Sequence, residues 1–273
     1  MFKKFTENVH KKNPIIHNIT NYVTVNDCAN MLLACKASPI MSDDINEVSQ
    51  ITSICSGLTI NIGTLNERTI QSMLKAGNTA NELNHSVVLD PVGAGASDLR
   101  TNTAKKLLQE IKFDAVRANI SEMKALYSGS ASTKGVDANA LDAVTDKNLD
   151  SAVSFAKSFA EKFSCVAAIT GAIDIVCDKD KAFVIRNGHK MMSSVTGTGC
   201  QLSSLLCAYI AANKDDTLTA TAAAVCAMGL CGEIAFKRMT AADGNSSYRN
   251  YIIDAMYNLT GEALDNGAKY EIR

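Results

Sequence analysis

The feature that most constrains the fold is an alternation of short apolar runs with longer amphipathic segments. Five runs have the length and composition of buried strands, and they cover residues 37–41, 58–62, 87–90, 113–117 and 166–170. Each run is bounded by polar residues or turn formers, as is typical of strands covered on both faces. Strands that alternate with helices predict an α/β fold of three layers, with a mostly parallel central sheet and helices on both faces.

Helical periodicity fills the intervals between these runs. The clearest predicted helix lies near residues 150–162, where Ala and Phe recur at spacings of three and four. Further helices are predicted at 23–35, 67–83, 104–111, 199–213, 218–238 and 247–264. The charged sequence DKDK between 174–178 and 182–186 predicts a hairpin, and residues 128–138 are interpreted as a surface loop. No repeat, linker or composition shift divides the chain, so a single domain over residues 1–273 is predicted.

Charge and hydropathy exclude several classes of protein. The chain has 27 Lys and Arg against 28 Asp and Glu, without a basic cluster, which argues against a nucleic-acid partner. The first residues lack the apolar stretch of a secretory signal. The longest apolar stretch, 221–232, is too short to span a bilayer and predicts a buried helix. We therefore expect a cytoplasmic protein with no membrane partner.

The nine cysteines argue against both a disulfide framework and a zinc site. Their number is odd, no CxxC pair occurs, and no histidine lies at zinc-ligand spacing from them. Eight of them are predicted to be small buried residues. The ninth, Cys200, follows a glycine-rich turn at the start of a predicted helix, where the helix dipole is expected to lower its pKa.

Polar and glycine-rich segments follow the predicted strands or open a helix, at 90–95, 117–122, 170–171 and 196–200. In open α/β sheets ligands gather at the carboxyl ends of the strands, so these segments predict a binding site. The sequence TGTGC at 196–200 is typical of an anion site at a helix N-terminus, but equally of a tight turn with a threonine cap. The P-loop pattern is absent, and the dinucleotide-binding pattern G-x-G-x-x-G is incomplete.

Two acidic residues near strand ends have two interpretations. Asp90 and Glu122 could hold Mg²⁺ directly or through water, because that ion binds one or two carboxylates together with phosphates. Alternatively, each is a helix cap or a solvated charge. Asn119 adds a polar group on the same turn as Glu122.

Six segments, taken together, resemble the hydroxyethylthiazole kinase family of the ribokinase-like superfamily. They are HNITNYV at 17–23, SPIM at 38–41, LDPVGAGA at 89–96, ANISE at 118–122, AITG at 168–171 and VTGTGC at 195–200. The resemblance implies a ribokinase-like fold and ATP-dependent phosphorylation of the hydroxyl of 4-methyl-5-(2-hydroxyethyl)thiazole, in thiamine biosynthesis or salvage. It also implies a requirement for Mg²⁺ and a homotrimer whose active sites lie between subunits.

Carried over residue by residue, the resemblance implies binding roles at five positions. Met41 and Gly197 match substrate-contacting positions, and Arg117 and Thr170 match nucleotide-binding positions. Asn119 belongs to the N-x-x-E element that organises phosphate and metal, and we include it among the ATP-binding residues. Without the resemblance, Met41 would be interpreted as a core residue.

The remaining implied roles concern the metal and the catalytic turn. Asp90 and Glu122 are the expected metal-site residues, and Cys200 stands where most ribokinase-like kinases carry an aspartate base. The backbone N–H groups of Gly197, Thr198 and Gly199 are expected to form the anion hole with that of Cys200. Ala118 and Ala172 depart from the family, which commonly has glycine and an acidic residue there.

Four other functions stay open at this point. A kinase for another small alcohol, such as hydroxymethylpyrimidine or a sugar, and an ATP-dependent hydratase-repair enzyme would share the fold, but both usually have Asp in place of Cys200. A thiol enzyme would use Cys200 as a nucleophile and would need one of the four histidines nearby. A non-catalytic nucleotide sensor is the fourth. His17 is interpreted as a capping or surface histidine near the predicted N-terminal helix.

Overall fold

The computed structural model describes residues 1–128 and 143–273. Nine strands occur in this part of the chain: β1 (Ile15–Ile19), β2 (Ser38–Met41), β3 (Gly57–Asn61), β4 (Ser86–Asp90), β5 (Ala115–Ala118), β6 (Val166–Ile169), β7 (Asp174–Cys177), β8 (Ala182–Ile185) and β9 (Tyr270–Ile272). They form one sheet in the order β2-β1-β3-β4-β5-β6-β7-β8-β9. Pairing is parallel from β2 to β6 and antiparallel from β6 to β9.

Helices cover both faces of this sheet. They are α1 (Lys3–Lys12), α2 (Val25–Ala34), α3 (Val48–Ile54), α4 (Glu67–Glu82), α5 (Asp98–Glu110), α6 (Ile120–Ser128), α7 (Leu149–Phe163), α8 (Thr198–Ala212), α9 (Thr217–Arg238), α10 (Asn245–Tyr257) and α11 (Gly261–Gly267). One buried cluster contains residues of α1, α2 and α8–α11, and a second contains residues of α3–α7. The predicted three-layer α/β architecture is confirmed.

The five predicted strands and the hairpin are present, with small shifts at their ends. The sequence reasoning missed β1, because His17 and Asn18 interrupt its apolar character although both are buried. It also missed β9 and the helices α1 and α3. The helix predicted at 247–264 is two helices, since α11 starts anew with the Thr260 hydroxyl accepting a hydrogen bond from Ala263 N. From residue 129 onward, the loop predicted at 128–138 lies outside the described residues.

The apolar stretch 221–232 lies within α9, as predicted for a buried helix. The helical segment Lys214–Arg238 is long and apolar enough to cross a membrane, but 89% of its most apolar window is buried inside the fold. It is therefore a core helix of the molecule. All nine cysteines are free thiols, and eight of them are buried, in agreement with the sequence analysis.

Candidate active site

The carboxyl ends of the parallel strands bring the predicted segments together. Asp90 is the last residue of β4, and Arg117 lies on the adjacent strand β5. Thr170 directly follows β6, which is the next strand in the sheet. The N-terminus of α8 approaches the same edge, since Ser203 of its first turns donates a hydrogen bond of 2.7 Å to Asp90 Oδ2. The structure thus joins the four predicted segments into one site.

Asp90 and Arg117 form a buried ion pair at the centre of this site. The Arg117 Nη1 atom lies 3.4 Å from Asp90 Oδ2, with the Asp90 side chain fully buried and that of Arg117 only 15% exposed. Arg117 also donates to the Thr170 hydroxyl from Nη2 at 2.7 Å and from Nε at 3.1 Å. Burial raises the pKa of the Asp90 carboxyl, and Arg117 opposes that shift. The contacts with Asp90 and Thr170 fix the position of the Arg117 guanidinium at the edge of the sheet.

Asn119 and Glu122 cap the N-terminus of α6 reciprocally. Asn119 Oδ1 accepts from the Glu122 backbone N–H at 2.8 Å, and Glu122 Oε2 accepts from the Asn119 N–H at 2.9 Å. Glu122 Oε1 accepts from Gly93 N at 2.7 Å, which ties the glycine-rich loop after β4 to the same helix. The capping interpretation of Glu122 is therefore confirmed.

The Glu122 carboxylate could also bind a cation. Burial raises the pKa of Glu122 to about 7, and the nearby charge of Asp90 adds to the shift while Arg117 opposes it. Two buried carboxylates that repel each other fit a hydrated divalent ion, which would relieve both the repulsion and the desolvation. Because both Glu122 oxygens already accept backbone N–H groups, contact through water is the better fit. The described residues hold no cluster of three or more His, Cys, Asp or Glu side chains that could bind a metal alone.

The TGTGC turn starts α8 with a glycine cap rather than a threonine cap. Gly197 is the N-cap, with a left-handed φ of 86°, so the threonine cap considered from the sequence is wrong. The first helical hydrogen bond runs from Gln201 N to Gly197 O at 2.9 Å. The N–H groups of Thr198, Gly199 and Cys200 therefore precede the hydrogen-bond ladder of the helix and can bind an anion.

Neither glycine of this turn has room for a side chain. A Cβ atom at Gly197 would overlap Thr24, and one at Gly199 would overlap the Arg117 guanidinium. Arg117 therefore lies directly against the N-terminus of α8. A helix N-terminus and a guanidinium both attract anions, so this part of the site is suited to a phosphate group.

Cys200 is the one cysteine of the nine that is not fully buried. Its Sγ atom accepts a hydrogen bond from Asn21 Nδ2 at 3.3 Å. Burial and the charge of Asp90 raise the pKa of the thiol, whereas Thr24, Arg117 and Asn21 lower it, and the net shift is upward. The expected lowering of this pKa is therefore wrong, because desolvation of the thiol and the neighbouring carboxylate of Asp90 favour its neutral form.

His17 lies inside the sheet rather than at the surface or at a helix cap. It is a fully buried residue of β1 whose Nδ1 lies 2.9 Å from the Thr52 hydroxyl and whose Nε2 lies 2.9 Å from the Ser42 carbonyl oxygen. The surface interpretation fails because these contacts satisfy both ring nitrogens inside the fold. Met41 ends the edge strand β2, half-buried and paired with Asn18, at the same edge of the sheet as the site.

The four histidines give no support to a Cys200 nucleophile of the thiol-enzyme type. Both ring nitrogens of His17 are hydrogen-bonded inside the fold, and His10 lies on α1. His85 precedes β4, at the amino edge of the sheet. His189 stacks on Phe236 with 3.5 Å between ring centroids. A thiol nucleophile needs a base within hydrogen-bond reach, and within residues 1–128 and 143–273 the side-chain nitrogen that donates to this sulfur is the Asn21 amide.

Several polar residues of the site escaped the sequence analysis. Asn21 and Asn61 link Cys200 to Asp90 through hydrogen bonds. Ser203 donates a hydrogen bond to Asp90. Asp174 accepts one from Gly171 N at 2.8 Å. Burial raises the pKa of Asp174 to about 7, and Arg117 opposes that shift. Asn61 carried a usable signal, because a polar residue at the carboxyl end of a buried strand faces the ligand edge of the sheet.

The sequence and the fold both resemble those of known kinases. The sequence matches the Hydroxyethylthiazole kinase family over residues 6–262. It is 63% identical to a hydroxyethylthiazole kinase of Clostridium acetobutylicum over 271 residues, covering 99% of each chain. The fold matches a hydroxyethylthiazole kinase structure from Pyrococcus horikoshii with a TM-score of 0.89 and 32% identity, over 100% and 98% of the two chains. A Staphylococcus aureus pyridoxal kinase in complex with ADP shares the fold, with a TM-score of 0.62, 12% identity and coverage of 95% and 97%.

Proposed function

The chain belongs to the hydroxyethylthiazole kinase family, and on that premise we propose that it transfers the terminal phosphoryl group of ATP to a thiazole alcohol. The acceptor is 4-methyl-5-(2-hydroxyethyl)thiazole, and the products are its phosphate ester and ADP, in thiamine biosynthesis or salvage. The observation that carries the proposal is the contact of Arg117 with the N-terminus of α8, beside Cys200. Positive charge and free N–H groups converge there, as transfer of a phosphoryl group requires.

The polar residues of the site divide the work of binding ATP. Arg117 supplies a fixed charge toward the phosphates, and its two hydrogen bonds to Thr170 fix the plane of the guanidinium. The N–H groups of Thr198, Gly199 and Cys200 surround the transferring group. Asn119 holds the turn at which α6 begins, next to the glycine-rich loop. Positioning and charge stabilisation of this kind account for most catalysis of phosphoryl transfer.

Asp90 and Glu122 are the residues that would hold Mg²⁺, through water at Glu122. Bound Mg²⁺ would offset the charge of the phosphates. The raised pKa of Glu122 supports this assignment, because a nearby cation favours the ionised form of a buried carboxyl. Glu122→Gln is expected to raise the Mg²⁺ concentration needed for half-maximal activity. Its melting temperature should fall only by the amount that loss of the helix cap at α6 explains. Equal Mg²⁺ requirements in the two proteins would contradict the assignment.

Cys200 is proposed as the base that receives the proton of the substrate hydroxyl. In a loose transition state that proton is lost late, so a weak base suffices. Met41 and Gly197 are proposed to contact the thiazole ring. A thioether packs adaptably on an aromatic ring, and Met41 is half-buried at the end of an edge strand, where it can accept such a partner.

A homotrimer with active sites between subunits is also proposed. Tyr22 and Val23 support it, since they are 78% and 58% exposed although they directly follow Asn21 of the site. Exposed aromatic and aliphatic side chains next to a ligand site are typical of a surface that a second chain covers. One domain over residues 1–273 and a cytoplasmic location remain parts of the proposal. Nine free thiols support the location, because a reducing compartment preserves them.

The direct test uses the purified full-length protein with MgATP and hydroxyethylthiazole. ADP release is followed by a coupled assay, and the product is identified by its mass. Hydroxymethylpyrimidine and a pentose serve as parallel acceptors. We expect a phosphate ester from the thiazole alone. A product formed faster from hydroxymethylpyrimidine would instead favour the related kinase, and ATP binding without any product would favour a nucleotide sensor.

A further inference from the structure

Asn21 is held in a single orientation by contacts on both ends of its amide. Its Oδ1 atom accepts from the backbone N–H and from the hydroxyl of Thr24, each at 3.1 Å. Only an oxygen can accept from a backbone N–H, so the amide nitrogen must face the opposite way. That nitrogen donates to Asn61 Oδ1 at 3.0 Å and to Cys200 Sγ at 3.3 Å. Asn21 is 4% exposed, and these four contacts use its two donors and its acceptor.

Asn61 extends the same network to the buried carboxylate of the site. Its Nδ2 atom donates to Asp90 Oδ2 at 2.9 Å, and its Oδ1 atom accepts from Gly63 N at 2.9 Å as well as from Asn21. Asn21 is thus fixed by Thr24 and Asn61, independently of the sulfur. The direction of the N–H group that faces Cys200 is therefore set by these contacts, whether or not the sulfur is present.

A donor in this position favours one state of the thiol. A hydrogen bond donated to sulfur stabilises the thiolate more than the neutral thiol. Among the groups around Cys200, the carboxylate of Asp90 on β4 opposes ionisation, whereas Arg117 on β5 and the Thr24 hydroxyl favour it. The Cys28 thiol of α2 is also close, and it interacts electrostatically with Cys200. Asn21 is the neutral group whose N–H contact with the sulfur has a defined direction.

We propose that Asn21 is a positioning residue that acts through Cys200. Its preset N–H group holds the sulfur at the first turn of α8 and favours the anionic form that accepts the substrate proton. The inference rests on the proposed kinase function for its catalytic consequence. The contact between amide and sulfur is independent of that function.

A double-mutant cycle tests the inference through activity. Wild type, Asn21→Ala, Cys200→Ala and the double variant are compared for kcat and for the KM of ATP. Asn21→Ala is expected to lower kcat about fivefold or more in the wild-type background and less than about twofold when Cys200 is already Ala. The KM of ATP should not change. Asn102→Ala, an exposed amide on α5, is the matched control and should leave kcat unchanged.

Alkylation of Cys200 by iodoacetamide gives a readout that needs no kinase activity. Cys200 is the only one of the nine cysteines that is not buried, so we expect a single adduct, which mass spectrometry would locate at Cys200. Asn21→Ala is expected to shift the pH dependence of alkylation upward by about half a unit or more. Asn21→Asp, which keeps the size and the Thr24 contacts but puts an oxygen against the sulfur, should shift it further.

The outcomes distinguish failure of the positioning role from failure of the proposed kinase function. An unchanged alkylation profile in both Asn21 variants, or an equal loss of kcat with and without Cys200, would overturn the positioning role. The second result would mean that Asn21 contacts the substrate directly. If the protein phosphorylates no alcohol but the alkylation profile still shifts, the amide–thiol coupling stands and the proposed function fails. Melting temperatures identify any variant that is not folded, and Asn21→Asp then replaces Asn21→Ala.

Discussion

The Arg117 guanidinium occupies the space that any side chain at position 199 would fill. Gly199 of α8 is therefore explained by the position of Arg117 on β5 and not by its own backbone conformation, since a larger residue would have to displace the guanidinium. The contact places a permanent cation against the free N–H groups at the start of α8. Both groups attract anions, so this one relationship explains why the turn and the β5 strand must act together on a phosphate.

Gly199→Ala is expected to displace Arg117 and to raise the KM of ATP about tenfold, which corresponds to about 1.4 kcal/mol of binding. Steady-state kinetics at varied ATP measures the effect. The matched control is Gly244→Ala, because Gly244 has no atom within 4 Å of the position that a Cβ would take. Equal KM values for Gly199→Ala and wild type would show that Arg117 does not act on the nucleotide.

Arg117→Ala should both weaken ATP binding and destabilise the fold. It leaves Asp90 fully buried without a cationic partner, and breaking a buried pair in this way typically costs about 3–5 kcal/mol. The cost should fall toward the low end because Arg117 is partly exposed. Unfolding in urea measures it. Adding Asp90→Asn should restore part of the lost stability, since the unpaired charge is then gone, and a strictly additive loss would argue against the ion pair.

Cys200→Ala is expected to retain detectable activity, with a loss within the range of about 10²–10⁴-fold that a general base supplies. Cys200→Asp is expected to be at least as active as wild type, because a carboxylate is ionised at neutral pH whereas the thiol, with its raised pKa, is mostly neutral. A Cys200→Asp enzyme far slower than Cys200→Ala would contradict the base role. Product formation under saturating MgATP and thiazole distinguishes these cases.

The pH dependence of kcat gives a second test of Cys200. Burial and Asp90 raise the pKa of the thiol, so the thiolate is the minor form at neutral pH and increases as the pH rises toward that pKa. The kcat of the wild type should therefore still be rising above about pH 8.5, the ordinary pKa of a thiol. In Cys200→Asp the rise should move to acidic pH. Superimposable profiles would remove Cys200 as the titrating group.

His17 should make the free energy of unfolding depend on pH. Burial lowers its pKa below the model-peptide value of 6.5, so below that pH the unfolded chain binds a proton that the native chain does not. The contribution of His17 is present above pH 6.5 and declines as the pH falls toward the native pKa. Loss of its buried hydrogen bonds in His17→Gln should cost about 1–3 kcal/mol at pH 7. The difference in stability between the two proteins should shrink at pH 5.

The strands of the parallel sheet could be predicted because burial on both faces leaves a run of apolar residues, as in β4 and β6. The same rule failed for β1, where His17 and Asn18 are buried with partners that lie far away in the sequence. Asn18 Oδ1 accepts from the Ser204 hydroxyl of α8 at 2.8 Å. A buried polar residue is compatible with a strand only when such tertiary partners exist, and no local pattern reveals them.

In the candidate site, too, some residues could be predicted from the sequence and others depend on tertiary partners. Cys200, Arg117 and Asp90 stand in motifs whose order along the chain identifies the family, and the structure brings them to one edge of the sheet. Asn21 lies in such a motif too, but its role depends on the amide of Asn61 and the sulfur of Cys200. The upward shift of the Cys200 pKa could not be predicted from the local sequence either, because it follows from burial of the thiol and from the charge of Asp90 on β4.

The hydrogen bond between Asn21 and Cys200 joins residues 179 positions apart. Contacts of such long range form late when a chain folds, since the entropy of closing a long loop must first be overcome. The central strands and the helices that cover them can form before this bond exists. A refolding molecule would therefore regain its helical content before it becomes a competent catalyst, and enzymatic competence would report the last stage of folding.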